Sequence, residues 1–102
     1  MKILFSDIAL QELANIKSYI KRDSEYYSRV FVDKILATIK KLGDFPCLGR
    51  VVPETNREDI RELIYRDYRI VYKCKSTEII ILTVIHGSRE LRTTDKEKWI
   101  IT

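Results

Sequence analysis

The chain has 102 residues, 45% hydrophobic and 33% charged, which is the balance of one globular domain and leaves little room for a second. No apolar run approaches the roughly 20 residues of a membrane-crossing helix, and Ser6-Asp7 ends the first apolar stretch too soon for a secretory leader, so a cytoplasmic protein with no membrane partner is expected. Lys+Arg 19 against Asp+Glu 15 leave a net charge of +4, a mild bias that suits an acidic protein partner as well as RNA and falls short of a dedicated nucleic-acid binder.

Lys2–Phe5 reads as a short strand. Ser6 or Asp7 can then cap a helix, because a side-chain oxygen there accepts an orphan backbone N–H. Ala9, Leu13, Ile16 and Ile20 follow at helical spacing, so one apolar stripe runs to about Arg22. Asp23-Ser24 breaks the pattern and caps a second helix, with Tyr27, Phe31, Ile35, Ile39 and Leu42 on one face and Gly43 as a stop. Helices this close in sequence form an antiparallel hairpin.

Residues 43–59 hold both prolines, Pro46 and Pro53, together with Gly43 and Gly49, and read as a long loop of the kind that carries function or packs over something. Ile60–Tyr65, Tyr68–Cys74 and Glu78–Ile85 are rich in Ile, Val and Tyr and read as strands of an antiparallel meander, the last apolar on both faces and therefore central. The tail from Leu91 is polar until Trp99, which is either a clasp on the domain or a contact for a partner. The expected fold is thus α+β in two layers: an N-terminal strand, a helical hairpin and a three-strand meander forming one small sheet. Two helices cover one face of such a sheet, which leaves the reverse partly open.

A two-residue turn at Arg66-Asp67 pairs Tyr65 with Tyr68, Leu63 with Ile70 and Arg61 with Tyr72. Alternation then places Leu63, Tyr65, Tyr68, Ile70 and Tyr72 toward the helices, and Glu62, Ile64, Arg69, Val71 and Lys73 on the open side, with Arg61 near the rim. A slip of one residue would reverse this. Arg69 is the residue of most interest, since a mid-sheet charge is costly without a partner. Its guanidinium either grips a phosphate by a bidentate fork or bridges to Glu62. His86, the only histidine, ends the last strand and is either structural or a general acid–base, a role that imidazoles commonly fill. With Gly87 allowing a sharp change of direction, His86 and Arg89 are expected to converge with Arg69 at one sheet edge. Arg50, Arg57, Arg66, Arg89 and Arg92 would form a basic rim diluted by acidic neighbours, Glu54 and Asp67 among them. Cys47 and Cys74 show no CxxC spacing and read as unpaired thiols in a reduced compartment. No P-loop, zinc spacing or catalytic triad is present in the pattern, so no metal or other cofactor is expected.

The element order, the loop Pro46-Cys47-Leu48-Gly49-Arg50-Val51-Val52-Pro53-Glu54, the segments Ile60-Arg61-Glu62-Leu63 and Tyr68-Arg69-Ile70-Val71-Tyr72, and the ending Val84-Ile85-His86-Gly87-Ser88-Arg89 together resemble the RelE/ParE toxins of bacterial type II toxin–antitoxin systems. The resemblance spans nearly the whole chain. It implies a small two-layer domain with the first strand beside the last, and a growth-inhibiting toxin that a cognate antitoxin holds inactive, in a complex that can build into a larger hetero-oligomer. RelE-like members cut messenger RNA on the ribosome without a metal; ParE-like members poison DNA gyrase and are not known as catalysts. The RelE-like reading would assign catalysis to Arg69, His86 and Arg89. Ile60 and Glu62 stand where RelE carries lysines, no tyrosine follows Tyr72, and the His86-Gly87-Ser88-Arg89 ending is closer to ParE. The ParE-like reading is therefore preferred, with Arg61, Glu62, Lys73, Arg50 and Trp99 expected to contact target or antitoxin; a binding module that has lost toxicity is the third reading.

Overall fold

Two serines decide where the helices begin. In the computed structural model, which describes residues 1–87, Ser6 Oγ accepts the Ala9 N–H at 3.0 Å and Ser24 Oγ accepts the Tyr27 N–H at 3.1 Å. Each cap satisfies a donor that the first helical turn would otherwise leave unpaired. Ser6 also donates to the Leu82 carbonyl at 2.8 Å, tying the start of its helix to the sheet. The elements run β1 (Lys2–Phe5), α1 (Asp7–Lys21), α2 (Glu25–Lys40), a 3₁₀ turn at Lys41–Gly43, β2 (Arg50–Val51), β3 (Ile60–Tyr65), β4 (Tyr68–Cys74) and β5 (Glu78–His86). Among these helices none is long and apolar enough to cross a membrane.

The strands form one five-stranded sheet in the order β1-β5-β4-β3-β2. β1 pairs parallel with β5, Lys2 opposite Glu78, and every other pairing is antiparallel. The expected central place of the last strand holds, and so does the expected hairpin register, Tyr65 to Tyr68, Leu63 to Ile70 and Arg61 to Tyr72. The sheet has one strand more than expected. Arg50–Val51, inside what reads as a plain loop, pairs with Arg61 and Glu62 at the β3 edge. A two-residue strand has no room to show a period, so nothing in the pattern announces it.

On the front of the sheet, Ala9, Phe31, Ile35, Ile39 and Leu42 pack against Leu63, Ile70, Tyr72, Ile79, Ile81 and Val84. Leu13, Ile16 and Ile20 complete the stripe from α1. Tyr27 departs from it. It is 65% exposed, because the first turn of α2 reaches out to the β3–β4 hairpin tip instead of lying over the sheet.

The reverse face is not the open surface expected. Val52, Ile60, Val71, Ile80, Leu82 and Ile85 form a second apolar cluster there, with Leu4 against it. Residues 46–54 explain much of this. They touch the front at Pro46 and Gly49, run along the edge as β2, and deliver Val52 and Glu54 to the back. A register shift between Val71 and Tyr72 marks a bulge against β5. There Glu12 of α1 accepts the Thr83 hydroxyl and the Val84 N–H, serving polar groups that the irregular ladder leaves over.

Candidate functional site

Arg69 lies in β4 opposite Ile64 and Ile85, on the reverse face as the pairing predicts. Its guanidinium is nonetheless unavailable. It is 6% exposed and donates to two carboxylates: to Glu62 at 2.8 and 2.9 Å, and to Glu54 at 2.8 and 2.9 Å. Glu62 comes from the neighbouring strand and Glu54 from the loop folded over the edge. The hydrogen bonds to Glu54, then those to Glu62, raise the arginine further above its ordinary range against the opposing effect of burial, so it stays charged at every accessible pH. The expected exposed cation is therefore a buried, fully engaged structural one. The bridge to Glu62 is the alternative that holds, and Glu54, read as a mere acidic neighbour, supplies the second half of the clamp. Arg50 adds a looser contact, 3.7 Å from Glu62, with its side chain 64% exposed.

His86 does not join Arg69. It pairs with Tyr68, the residue before Arg69, and its ring packs edge-on against the Tyr68 ring with centroids 5.8 Å apart. Adjacent positions of a strand point to opposite faces, so the two side chains lie on opposite sides of the sheet. Arg89 and Trp99 lie outside the described residues. Arg61 is also structural: it donates to the Gly49 carbonyl at 3.0 Å and the Glu58 carbonyl at 3.1 Å. Lys73 is half-buried on the reverse face near Asp59, whose carboxyl is held below its usual range mainly by the Arg57 hydrogen bonds. Of the residues expected to face a partner, Arg50 and Lys73 thus keep accessible charge, while Arg61 and Glu62 hold the fold together. Among the described residues no three His, Cys, Asp or Glu side chains gather to hold a metal ion.

The edge loop is pinned by one hydroxyl. Tyr72 is fully buried, accepts the Gly49 N–H at 2.9 Å and donates to the Pro46 carbonyl at 2.9 Å. Burial pushes this phenol up to about 12, against a smaller opposing effect of the Gly49 hydrogen bond. Gly49 is required by the close approach: a Cβ there would lie 2.5 Å from the Glu62 carbonyl oxygen and 2.7 Å from the Tyr72 hydroxyl.

A concave surface lies elsewhere. A groove of about 470 Å³ runs between the helical hairpin and the β3–β4 turn, lined by Ile20, Tyr26, Tyr27, Val30, Phe31, Lys34, Tyr65, Arg66, Asp67 and Tyr68. Half of its lining residues are aromatic. Tyr26 and Tyr27 meet edge to face at 5.5 Å, and Phe31 packs the same way on Tyr65 and Tyr68 at 5.7 and 5.3 Å. Lys34 and Arg66 put two cations at its rim against the single carboxylate of Asp67. Arg66 adopts φ 51°, a left-handed conformation that an arginine enters at a cost, and its guanidinium lies 5.8 Å from the Tyr65 ring centre. Exposed tyrosines and a held arginine around an apolar hollow are the composition of a protein-binding surface. Sequence reasoning puts Tyr27 on the packed face of the second helix, with Tyr26 beside it. The one signal against that is their adjacency, since neighbouring helical positions cannot both face a core.

Known proteins place this architecture. The family model for the ParE toxin of type II toxin–antitoxin systems, parDE, matches residues 3–91. A solved chain from the chromosomal ParDE toxin–antitoxin system of P. aeruginosa has a similar fold, with a TM-score of 0.70 at 21% identity over 84% of this chain and 95% of that one. No curated protein matches the chain.

Proposed function

The chain belongs to the ParE toxin family of type II toxin–antitoxin systems, and from that premise we propose that it arrests growth by inhibiting DNA gyrase and is silenced by a cognate antitoxin. The observation that carries the gyrase reading over messenger cleavage is the state of Arg69. A ribonuclease of the RelE type needs a guanidinium that reaches a scissile phosphate and a proton-transfer group on the same side. Here the guanidinium is enclosed by Glu54 and Glu62, and His86 lies across the sheet. Such a chain acts by occupying a partner.

The aromatic groove suits the antitoxin. It accepts an apolar anchor from an amphipathic helix, and Lys34 and Arg66 favour acidic residues beside that anchor. The groove and the net charge of +4 point the same way. Lys73 and Arg50 remain for the gyrase contact or for the rest of the antitoxin.

Expression without the antitoxin tests the reading. Growth should stop, and purified gyrase should lose supercoiling activity when the toxin is added. Intact supercoiling with transcripts cut on ribosomes would replace this reading by the ribonuclease one, and undisturbed growth would leave only a non-toxic binding module.

A further inference from the structure

We propose that Cys47 and Cys74 form a peroxide-responsive pair that closes into a disulfide and locks the edge loop onto the sheet. The thiols lie far apart in the chain, and the fold brings them together. Cys74, the last residue of β4, donates its S–H to the Pro46 carbonyl at 3.3 Å, and that carbonyl belongs to the peptide bond leading into Cys47. The carbonyl oxygen and the next Cα of a trans peptide are about 2.8 Å apart, so the Cys74 sulfur lies within about 6 Å of the Cys47 Cα. Closure takes a rotation of the Cys47 side chain and a local shift of the edge loop, with the two Cα atoms coming to stand about 4.4–6.8 Å apart, the separation that disulfides accept.

The surroundings keep the pair in place and assign the roles. Pro46 and Gly49, on either side of Cys47, are both held by the buried Tyr72 hydroxyl two residues before Cys74. Cys47 is exposed, whereas Cys74 is half-buried. Burial, and then the charge of Cys47, push the Cys74 thiol up. The exposed thiol is the one that peroxide reaches and the sheltered one is the resolving group.

The balance is simple. The Cys47 thiolate attacks hydrogen peroxide; an S–O bond forms, the O–O bond breaks, and hydroxide leaves to become water. Cys74 then attacks the Cys47 sulfenic sulfur; the S–S bond forms, the S–O bond breaks, and the departing hydroxide takes the Cys74 proton as a second water. The two thiols give up two electrons and one peroxide is reduced to two waters. A dithiol reductant reverses the bond by exchange.

The full-length reduced protein treated with hydrogen peroxide tests this. Non-reducing intact mass should fall by about 2 Da, both thiols should become inert to alkylation, and peptide mapping should join Cys47 to Cys74 within one chain. The oxidised protein should melt at least about 5 °C higher than the reduced one. Cys74→Ser, verified as folded by circular dichroism, should instead keep a Cys47 sulfenic acid that a dimedone-type reagent labels. In Cys47→Ser, Cys74 should survive peroxide and remain open to alkylation after unfolding. Over-oxidised Cys47 beside an intact Cys74 thiol in the wild type, dimers joined through Cys47, or the same product from wild type and Cys74→Ser would each overturn the proposal.

Discussion

Arg69 and Glu62 meet diagonally across the β3–β4 hairpin and share two hydrogen bonds, of 2.8 and 2.9 Å, in a site from which the Glu62 side chain has no access to solvent. Truncating one partner strands the other. Arg69→Met should therefore cost about 3–5 kcal/mol, because two carboxylates lose their cation and Glu62 keeps a buried charge. Urea denaturation measures the loss. A loss under 1 kcal/mol would mean that Arg69 is solvated after all. Loss of toxicity in this variant would then trace to unfolding, which a melt recorded beside the growth assay would separate from a lost contact.

Tyr72 makes stability fall in strong alkali. Its folded value, about 12, stands above the ordinary 10.0 because burial penalises the phenolate. The unfolded chain thus releases the proton first. This contribution is complete below pH 10 and is lost as pH rises from 10 through about 12, for a total of order 2–3 kcal/mol. Tyr72→Phe should be less stable at neutral pH, since the Gly49 N–H and Pro46 carbonyl lose their partner. It should also lack this part of the alkaline slope. Parallel slopes for the two proteins between pH 10 and 12 would contradict the assignment.

Gly49→Ala should destabilise the chain by 2 kcal/mol or more, on the order of other overpacked sites. The added methyl would meet the Glu62 carbonyl at 2.5 Å, and backbone cannot swing away as a flexible side chain could. The Tyr72 hydroxyl would lose its donor as the loop lifts. Thermal melts report the cost, and an unchanged midpoint would show that the edge loop is loosely attached.

Tyr27→Ala should weaken antitoxin binding at least about 30-fold, as truncation of a central interface tyrosine does, with the fold unaffected because the ring is largely exposed. Arg66→Gly should divide the two properties in the opposite sense. Relief of the left-handed arginine should raise stability by about 1 kcal/mol, while removal of a groove cation weakens the complex. Calorimetric titration with the cognate antitoxin reads both. Wild-type affinity in both variants would move the docking surface elsewhere.

Much of the hairpin was legible because its information is local. Arg66-Asp67 sets the turn, the turn sets the register, and the register sets which face Arg69 and Tyr72 point to. The serine caps and the stripes of α1 and α2 are local in the same way. What closes the site is not local. Glu54 reaches Arg69, and Pro46 and Gly49 reach Tyr72, only because a loop without periodicity wraps an edge, and no repeat in that loop encodes the wrap. The exposure of Tyr27 escaped for a related reason. Helical spacing shows which residues share a face, but not how far the sheet beneath that face extends.

The pairing of β1 with β5 has a bearing on synthesis. The first strand has no sheet neighbour until the last described strand exists, and Ser6, which starts α1, is held by Ile81 and Leu82 of that same strand. A nascent chain without β5 therefore lacks the strand that joins β1 and the start of α1 to the rest of the sheet, and the final assembly waits on a long-range parallel contact that is slow to form. A chain that stops before β5 leaves β1 without its sheet neighbour and Ser6 without its anchor, so the whole fold is gated by the strand that is made last among those described.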